Sequence, residues 1–367
     1  MKVKYSYLDA QFNDCEEILE SIRGLLRTGK FTLGPSVGEF EKRFAAVCGT
    51  RFAIGVNSGT DALLLILHAL EMGSGDEVIT VPNSFVATTA AVVLVGATPV
   101  FADVKEDYNI DPEQIERLIT PRTKAILPVH LTGHPADMPR ILEIANRHGL
   151  RVIEDAAQAI GAAIDGRPVG SWGIAAGFSL HPLKNLNVWG DGGVVVTNSE
   201  SVARKIGLLR NHGLTNRDEV EVFGYNSRLD TLQAIVACHL LEKLEFITSA
   251  RIHNAQAYDT AFSGMSGAIT LPPRKANVRQ VYHTYVIQAR DRDRLWKFLA
   301  DRGIDAKVHY PIPIHLQEAA RSLGYKAGDF PVCESQARSI LTLPVHQHMA
   351  PEEIRYVAEQ VSMFYSG

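Results

Sequence analysis

The sequence is poor in the residues that mark disulfide-rich and zinc-binding proteins. Its 367 residues include only four cysteines, Cys15, Cys48, Cys238 and Cys333, which are far apart and form no CxxC pair. We therefore expect neither a disulfide framework nor a metal site. The first residues also lack the apolar core of a secretory signal, so a reducing cytoplasm is the expected compartment.

Charge of one sign and long apolar runs are also missing. The 37 Lys and Arg residues against 41 Asp and Glu leave a net charge of -4, which argues against a nucleic-acid-binding protein. The longest apolar stretch, residues 85–102, is interrupted by three threonines and Pro99. It is too broken to cross a bilayer, so we expect no membrane partner. The 46% hydrophobic content nevertheless supplies a large buried core.

Short apolar runs alternate with helical stretches over the first 200 residues. Strands are predicted at 52–56, 77–81, 98–102, 124–129, 151–155, 175–179 and 193–197. Helices are predicted at 15–26, 37–48, 60–70, 86–95, 111–119 and 137–147. This alternation is typical of an α/β fold with a mostly parallel sheet covered on both faces.

The pattern changes after Asn226. Residues 229–261 predict one or two long helices. An alternating strand at 281–289, a helix at 291–302, a short strand at 306–309 and helices at 332–340 and 351–364 follow. We therefore divide the chain into a large domain, residues 1–250 with the N-terminal helices, and a small C-terminal α+β domain, residues 251–367.

The segment Asn57–Leu63 links the predicted strand 52–56 to an apolar helix. Such a turn presents backbone N–H groups and the hydroxyls of Ser58 and Thr60 at the positive end of the helix, which suits a phosphate. A simple helix N-cap explains the same residues, and the motif alone favours the cap.

Two further residues have chemistry that suits a cofactor. Asp155 ends the predicted strand 151–155, where its carboxylate can pair with a cationic heterocycle or cap a following helix. Lys184 lies in a turn between two apolar strands, where a desolvated lysine can lose its proton and attack a carbonyl. A surface-loop lysine is the alternative interpretation.

The three features together match the needs of pyridoxal 5'-phosphate. A lysine forms the Schiff base, a carboxylate keeps the ring nitrogen protonated, and a helix N-terminus takes the phosphate. Phe85 is the candidate for covering the ring, with a plain core residue as its alternative.

The chain resembles the DegT/DnrJ/StrS family of pyridoxal-phosphate-dependent sugar aminotransferases. Matching stretches run in order from about residue 32 to about residue 348, and they include GPSVGEFEKRFA, VNSGTDAL, PNSFVATTAAV, VIEDAAQAIGA, SLHPLKNL, GDGGVVVTN and GYNSRLDTLQA. The resemblance implies the type I aspartate-aminotransferase fold. It also implies transfer of an amino group from L-glutamate to a keto sugar, with the cofactor passing through its pyridoxamine form.

The resemblance assigns residues to the cofactor site. It makes Lys184 the Schiff-base lysine and proton shuttle, and it pairs Asp155 with the pyridine nitrogen. Gln158 lies near the ring hydroxyl and Phe85 stacks on the ring. The implied phosphate ligands are Ser58, Gly59, Thr60 and Ser179. Asn226 is implied to reach the phosphate in the neighbouring subunit's site, which predicts a homodimer with shared active sites.

The acceptor sugar is less closely defined. The form KNL…GDGG resembles the branch that aminates carbon 3, which favours a nucleotide-linked 3-keto sugar in amino-sugar biosynthesis for surface polysaccharide, lipopolysaccharide or a glycosylated metabolite. His181, Pro182 and Leu183 depart from that branch, so a sugar acid without a nucleotide, such as an oxidised octulosonate, stays open. Candidate substrate contacts are His181, Arg228, His309, Tyr310 and His315.

Two other functions compete with transamination. A sugar dehydratase of the same fold has His in place of the Schiff-base lysine, whereas Lys184 is present here. A non-catalytic pyridoxal-phosphate-binding regulator would need a DNA-binding or tail module, and no basic segment indicates one. For the loop that holds His309 and His315, a rigid proline-rich connector competes with substrate binding.

Overall fold

The structure is a computed structural model that describes residues 1–366. Its strands are β1 (Phe52–Val56), β2 (Glu77–Thr80), β3 (Thr98–Phe101), β4 (Thr123–Ile126), β5 (Arg151–Asp155), β6 (Ala163–Ile164), β7 (Arg167–Pro168), β8 (Ala175–Ser179), β9 (Gly193–Thr197), β10 (Ile269–Thr270), β11 (Val278–Arg279), β12 (Tyr285–Ala289) and β13 (Ile340–Leu343). The seven strands predicted in the first 200 residues are present, and the two-residue strands β6 and β7 are additional ones that no apolar run predicts.

Helices cover both faces of the sheet and build most of the C-terminal third. They are α1 (Leu8–Gln11), α2 (Glu16–Thr28), α3 (Pro35–Cys48), α4 (Gly59–Ala69), α5 (Val86–Leu94), α6 (Pro112–Ile115), α7 (Met138–His148), α8 (Glu200–Leu209), α9 (Thr231–Glu242), α10 (Leu244–Phe262), α11 (Arg292–Ala300), α12 (Pro331–Ser339) and α13 (Pro351–Ser366). Within the described chain, no helix combines the length and apolar character needed to cross a membrane.

Seven strands form the central sheet in the order β1-β9-β8-β5-β4-β2-β3. Only β9 runs antiparallel to the others, so the predicted mostly parallel sheet is confirmed. Apolar clusters on both faces bury it, one of them against α3 and α9 and another against α4 and α8. Since β1, β5 and β8 are parallel, their carboxyl ends lie at one edge of the sheet, which is where α/β sheets hold ligands.

The C-terminal part has its own antiparallel sheet, β10-β12-β13, packed on α10, α11 and α13. The predicted strand 306–309 is wrong, because only Lys307 pairs there, through an isolated bridge to Thr342. Thr342, the bridge partner of Lys307, belongs to β13. This strand has four residues and directly follows α12, so no turn signal in the sequence separates the two elements.

The first residues pack with the C-terminal part although the sequence groups them with the large domain. Val3 is 1% exposed and lies in the same apolar cluster as Ile304 and Leu341. Its N–H donates to the carbonyl of Gly303 at 2.9 Å. Helix α10 also continues through residue 250, so the division at residue 250 stays a prediction.

Candidate active site

A cavity of about 460 Å³ opens at the carboxyl ends of β1, β5 and β8. Its volume lies in the range of small-molecule binding sites. Most of the residues predicted from the sequence line it. They are Ser58, Gly59, Thr60, Phe85, Asp155, Gln158, Ser179, His181, Lys184, His309 and Tyr310.

Lys184 lies in the turn between β8 and β9. Its backbone N–H donates to the carbonyl of His181 at 2.8 Å, and its own carbonyl accepts the Tyr7 hydroxyl at 2.7 Å. Burial lowers the pKa of the Lys184 ammonium to about 8, against the opposing attraction of Asp155. Lys184 therefore has a neutral, nucleophilic fraction at neutral pH, and the surface-loop interpretation is wrong.

Asp155 ends β5 with its carboxylate 4% exposed. One oxygen, Oδ2, accepts the Thr88 hydroxyl at 2.7 Å, and Oδ1 accepts the N–H of Ala157 at 3.1 Å. Burial raises the pKa of this carboxyl, whereas the two donors and Lys184 oppose that rise. Residues 156–162 form turns and no helix, so the helix-capping interpretation of Asp155 is wrong.

The N-terminus of α4 forms one wall of the cavity. Ser58 is the N-cap, because its Oγ accepts the N–H of Asp61 at 3.0 Å. Gly59 packs so closely on β8 that an added Cβ would lie 2.7 Å from the Cβ of Ser179. Free backbone N–H groups and three hydroxyls, from Ser58, Thr60 and Ser179, thus meet at a positive helix end, a donor set that fits a phosphate.

Three histidines lie around Lys184 in the cavity wall. Burial is the main cause that lowers the pKa of each, and the Lys184 charge adds to it: the pKa of His309 falls to about 4, that of His283 falls well below its usual value, and that of His181 is also lowered. All three are therefore neutral at pH 7. Neutral imidazoles beside the Tyr310 hydroxyl suit hydrogen bonds to an uncharged polar ligand.

Three predicted residues do not line this cavity. Asn226 is exposed and lies two residues before Arg228. The Arg228 guanidinium donates to Asn211 Oδ1 at 2.9 Å. Their predicted roles stay predictions. His315 is buried, with its Nε2 3.1 Å from Glu334 Oε1. A packing role in the proline-rich connector therefore replaces the predicted substrate contact of His315.

Several residues that line the cavity are not predicted from the sequence. They are Tyr5, Ser84, Thr88, Thr132, His283 and Thr284. Ser84 and Thr88 are four residues apart around the start of α5, a spacing that places two side chains on one face and gives a usable signal. Tyr5 and His283 come from segments distant in sequence, and no local pattern brings them to the site.

Comparisons with known proteins identify the family of this chain. The family model for the DegT/DnrJ/EryC1/StrS aminotransferase family matches residues 13–362. The chain is 41% identical to the "Pleiotropic regulatory protein" of Geobacillus stearothermophilus, covering 100% of this chain and 99% of that protein. It is 43% identical to the dTDP-3-amino-3,4,6-trideoxy-alpha-D-glucose transaminase of Streptomyces venezuelae, covering 92% of this chain and 89% of that enzyme.

A solved structure matches equally well. The crystal structure of S. venezuelae DesV in complex with a ketimine intermediate superposes with a TM-score of 0.97 at 41% identity, covering 100% of this chain and 99% of that one. The predicted fold of pyridoxal-phosphate-dependent aminotransferases is thereby confirmed. The chain belongs to the DegT/DnrJ/EryC1/StrS aminotransferase family.

Proposed function

We propose that this aminotransferase uses pyridoxal 5'-phosphate to move an amino group from L-glutamate to a nucleotide-linked keto sugar, at carbon 3. The observation that carries the proposal is the pairing of Lys184, whose pKa is lowered to about 8, with the buried carboxylate of Asp155 in one cavity. Lysine and carboxylate are the two groups that this cofactor requires from a protein.

The side chains divide the work. Bound pyridoxal phosphate would supply a carbonyl carbon for the amino group and a cationic ring that accepts electron density. Lys184 Nζ takes up and returns the proton at the substrate carbon, which its lowered pKa allows near neutral pH. The α4 N-terminus holds the phosphate, Asp155 holds the ring nitrogen, and Phe85, at the cavity mouth, covers a ring face.

The polarity of the cavity supports a sugar acceptor. Among the described residues that line it, Lys184 is the only lysine, and arginine is absent. Besides the carboxylates of Asp155 and Asp191, the polar lining consists of hydroxyls, the Gln158 amide and neutral imidazoles, a combination that suits sugar hydroxyls. The S. venezuelae relative is named for a dTDP-linked 3-amino sugar, which supports a nucleotide and carbon 3.

We also propose that two copies share their active sites. The segment before Asn226 carries apolar side chains that the single chain leaves in solvent: Phe223 is 99% exposed and Val220 is 54% exposed. Burial of such side chains against a second copy would bring Asn226 toward the partner's phosphate site.

Transamination is tested first by absorbance. The purified protein with pyridoxal phosphate is expected to absorb in the near ultraviolet and visible range, and L-glutamate should bleach that band with release of 2-oxoglutarate. The bleached enzyme should then be mixed with a panel of nucleotide-linked 3-keto sugars, nucleotide-linked 4-keto sugars and free sugar acids. Only the sugar that the enzyme aminates should restore the band. A stable band that glutamate leaves unchanged would indicate a regulator, and loss of a sugar hydroxyl without amination would indicate a dehydratase.

The shared site is tested by mixing two inactive variants. Lys184→Ala and Asn226→Ala homodimers should each be impaired. If Asn226 acts across the interface, a heterodimer has one site with both lesions and one intact site, so mixing should raise activity toward half of the wild-type value. Heterodimers purified with two affinity tags and no more active than the parental average would contradict the shared site.

A further inference from the structure

The carboxylate of Asp155 is the end of a short hydrogen-bonded chain of hydroxyls. Thr88 Oγ1 lies 2.7 Å from Asp155 Oδ2, and Ser84 Oγ lies 2.7 Å from Thr88 Oγ1. All three residues are buried, with exposures of 4% for Ser84, 1% for Thr88 and 4% for Asp155. All three also line the cavity.

The direction of the hydrogen bonds follows from their chemistry. An ionised carboxylate only accepts, so the Thr88 hydroxyl must donate its single proton to Asp155. The Thr88 oxygen is then left to accept, and the Ser84 hydroxyl is its donor. Because each hydroxyl has one proton, this order directs one donor at Oδ2, and that hydrogen bond is stronger when Asp155 is an anion. A proton on Oδ2 itself would compete with the Thr88 hydroxyl proton for the same position between the two oxygens.

Other groups around Asp155 do not replace this donor. The N–H of Ala157 contacts the other oxygen, Oδ1. Lys184 and His130 act on the Asp155 carboxylate through charge, the backbone N–H of His130 contacts only the Asp155 backbone carbonyl, and Tyr310 also lies near the carboxylate. Burial favours the neutral carboxyl, so removal of the Oδ2 donor would leave a buried, unsatisfied oxygen and shift the balance toward protonation.

We propose that the Ser84–Thr88 hydroxyl chain keeps Asp155 ionised, and that Thr88 is a positioning residue for the cofactor ring. This inference rests on the proposed function, in which the Asp155 anion holds a cationic ring nitrogen. A protonated Asp155 carries no charge to offer that nitrogen. Thr88 thereby acts on the cofactor through Asp155.

Binding of pyridoxamine 5'-phosphate to the apoenzyme tests the proposal, because this amine forms no covalent bond with Lys184. Its affinity should be measured by fluorescence titration from pH 5 to 9. Thr88→Val keeps the side-chain shape and removes the donor, so affinity at pH 7 should fall about 10- to 100-fold. The pH at which binding weakens on acidification should also rise, since Asp155 then protonates more easily.

The adjacent threonine provides a matched control. Thr89 lies on the same helix and is 5% exposed, and within residues 1–366 its hydroxyl has no hydrogen-bond partner. Thr89→Val should leave both affinity and its pH dependence unchanged. Thr88→Ser keeps the hydroxyl and should retain the wild-type affinity and pH dependence. Ser84→Ala should shift the pH dependence in the same direction as Thr88→Val, by a smaller amount.

The outcomes separate the possible failures. Weaker binding by Thr88→Val that is equal at every pH would show a packing role and overturn the proposal. If Thr88→Val does not fold, an unshifted pH dependence in Ser84→Ala would overturn it. No binding of pyridoxamine phosphate by the wild-type apoenzyme would instead contradict the proposed function. Binding by the wild type with no shift in the variants would leave that function standing.

Discussion

Replacement of Lys184 by alanine is expected to lower the transamination rate by about 10⁴- to 10⁶-fold, the effect of removing a residue that provides both nucleophile and base. The fold should survive, because the contacts of Lys184 with Tyr7 and His181 use its backbone atoms. Single-turnover amination with the loaded enzyme measures the loss.

Borohydride reduction provides the second measurement. It should fix pyridoxal phosphate on Lys184 in the wild type and on no residue in Lys184→Ala, as read by peptide mass mapping. Lys205→Ala is the control, because that lysine pairs with Glu71 on the surface. Attachment to another lysine in the wild type would refute the assignment.

Asp155→Asn is expected to reduce turnover by about 10²- to 10³-fold, the usual cost of losing one preorganised electrostatic contact to a developing charge. The amide is nearly isosteric, so the variant should still bind the cofactor when it is saturating, with lower affinity because the ring nitrogen loses its anion. Near-normal turnover in this variant would mean that the carboxylate does not act on the ring.

The same variant has a second measurable effect, on Lys184. The Asp155 charge raises the pKa of Lys184, which burial lowers to about 8. Loss of that charge should therefore lower the pKa further. The rate at which pyridoxal phosphate attaches to the apoenzyme rises with the neutral fraction of Lys184, so its pH midpoint should fall in Asp155→Asn. An unchanged midpoint would show that the two side chains do not interact.

The central sheet and the cofactor-facing residues are predictable because local signals coincide there. Each of the seven strands of the central sheet is a short, mainly apolar run; Asp155 ends one of them, and Ser58 lies just after another. The carboxyl edge of a mostly parallel sheet then gathers them, because parallel strands end on the same side. Lys184 is found for the same reason, as a cation between two buried strands.

The remainder of the site depends on contacts that no short segment encodes. His283 and Tyr5 reach the cavity only because the C-terminal part and the first residues fold against the large sheet. His315 shows the opposite error: a polar residue in a proline-rich loop suggests a binding role, yet Glu334 from α12 occupies its Nε2. Sequence spacing alone does not reveal which of these histidines finds a protein partner.

Val3 packs against residues that are synthesised much later, such as Ile304 and Leu341, and this contact has a consequence for folding during synthesis. Val3 is synthesised ~300 residues before its hydrogen-bond partners Gly303 and Asp305. At elongation rates of about 5 to 20 residues per second, about 15 to 60 s pass between the synthesis of Val3 and that of these partners. Until then Tyr7, four residues further on, has no fixed position from which to support the Lys184 turn. The large sheet can assemble during translation, but the Lys184 turn gains its hydrogen bond from Tyr7 in a fixed position only after residue 305 has been synthesised.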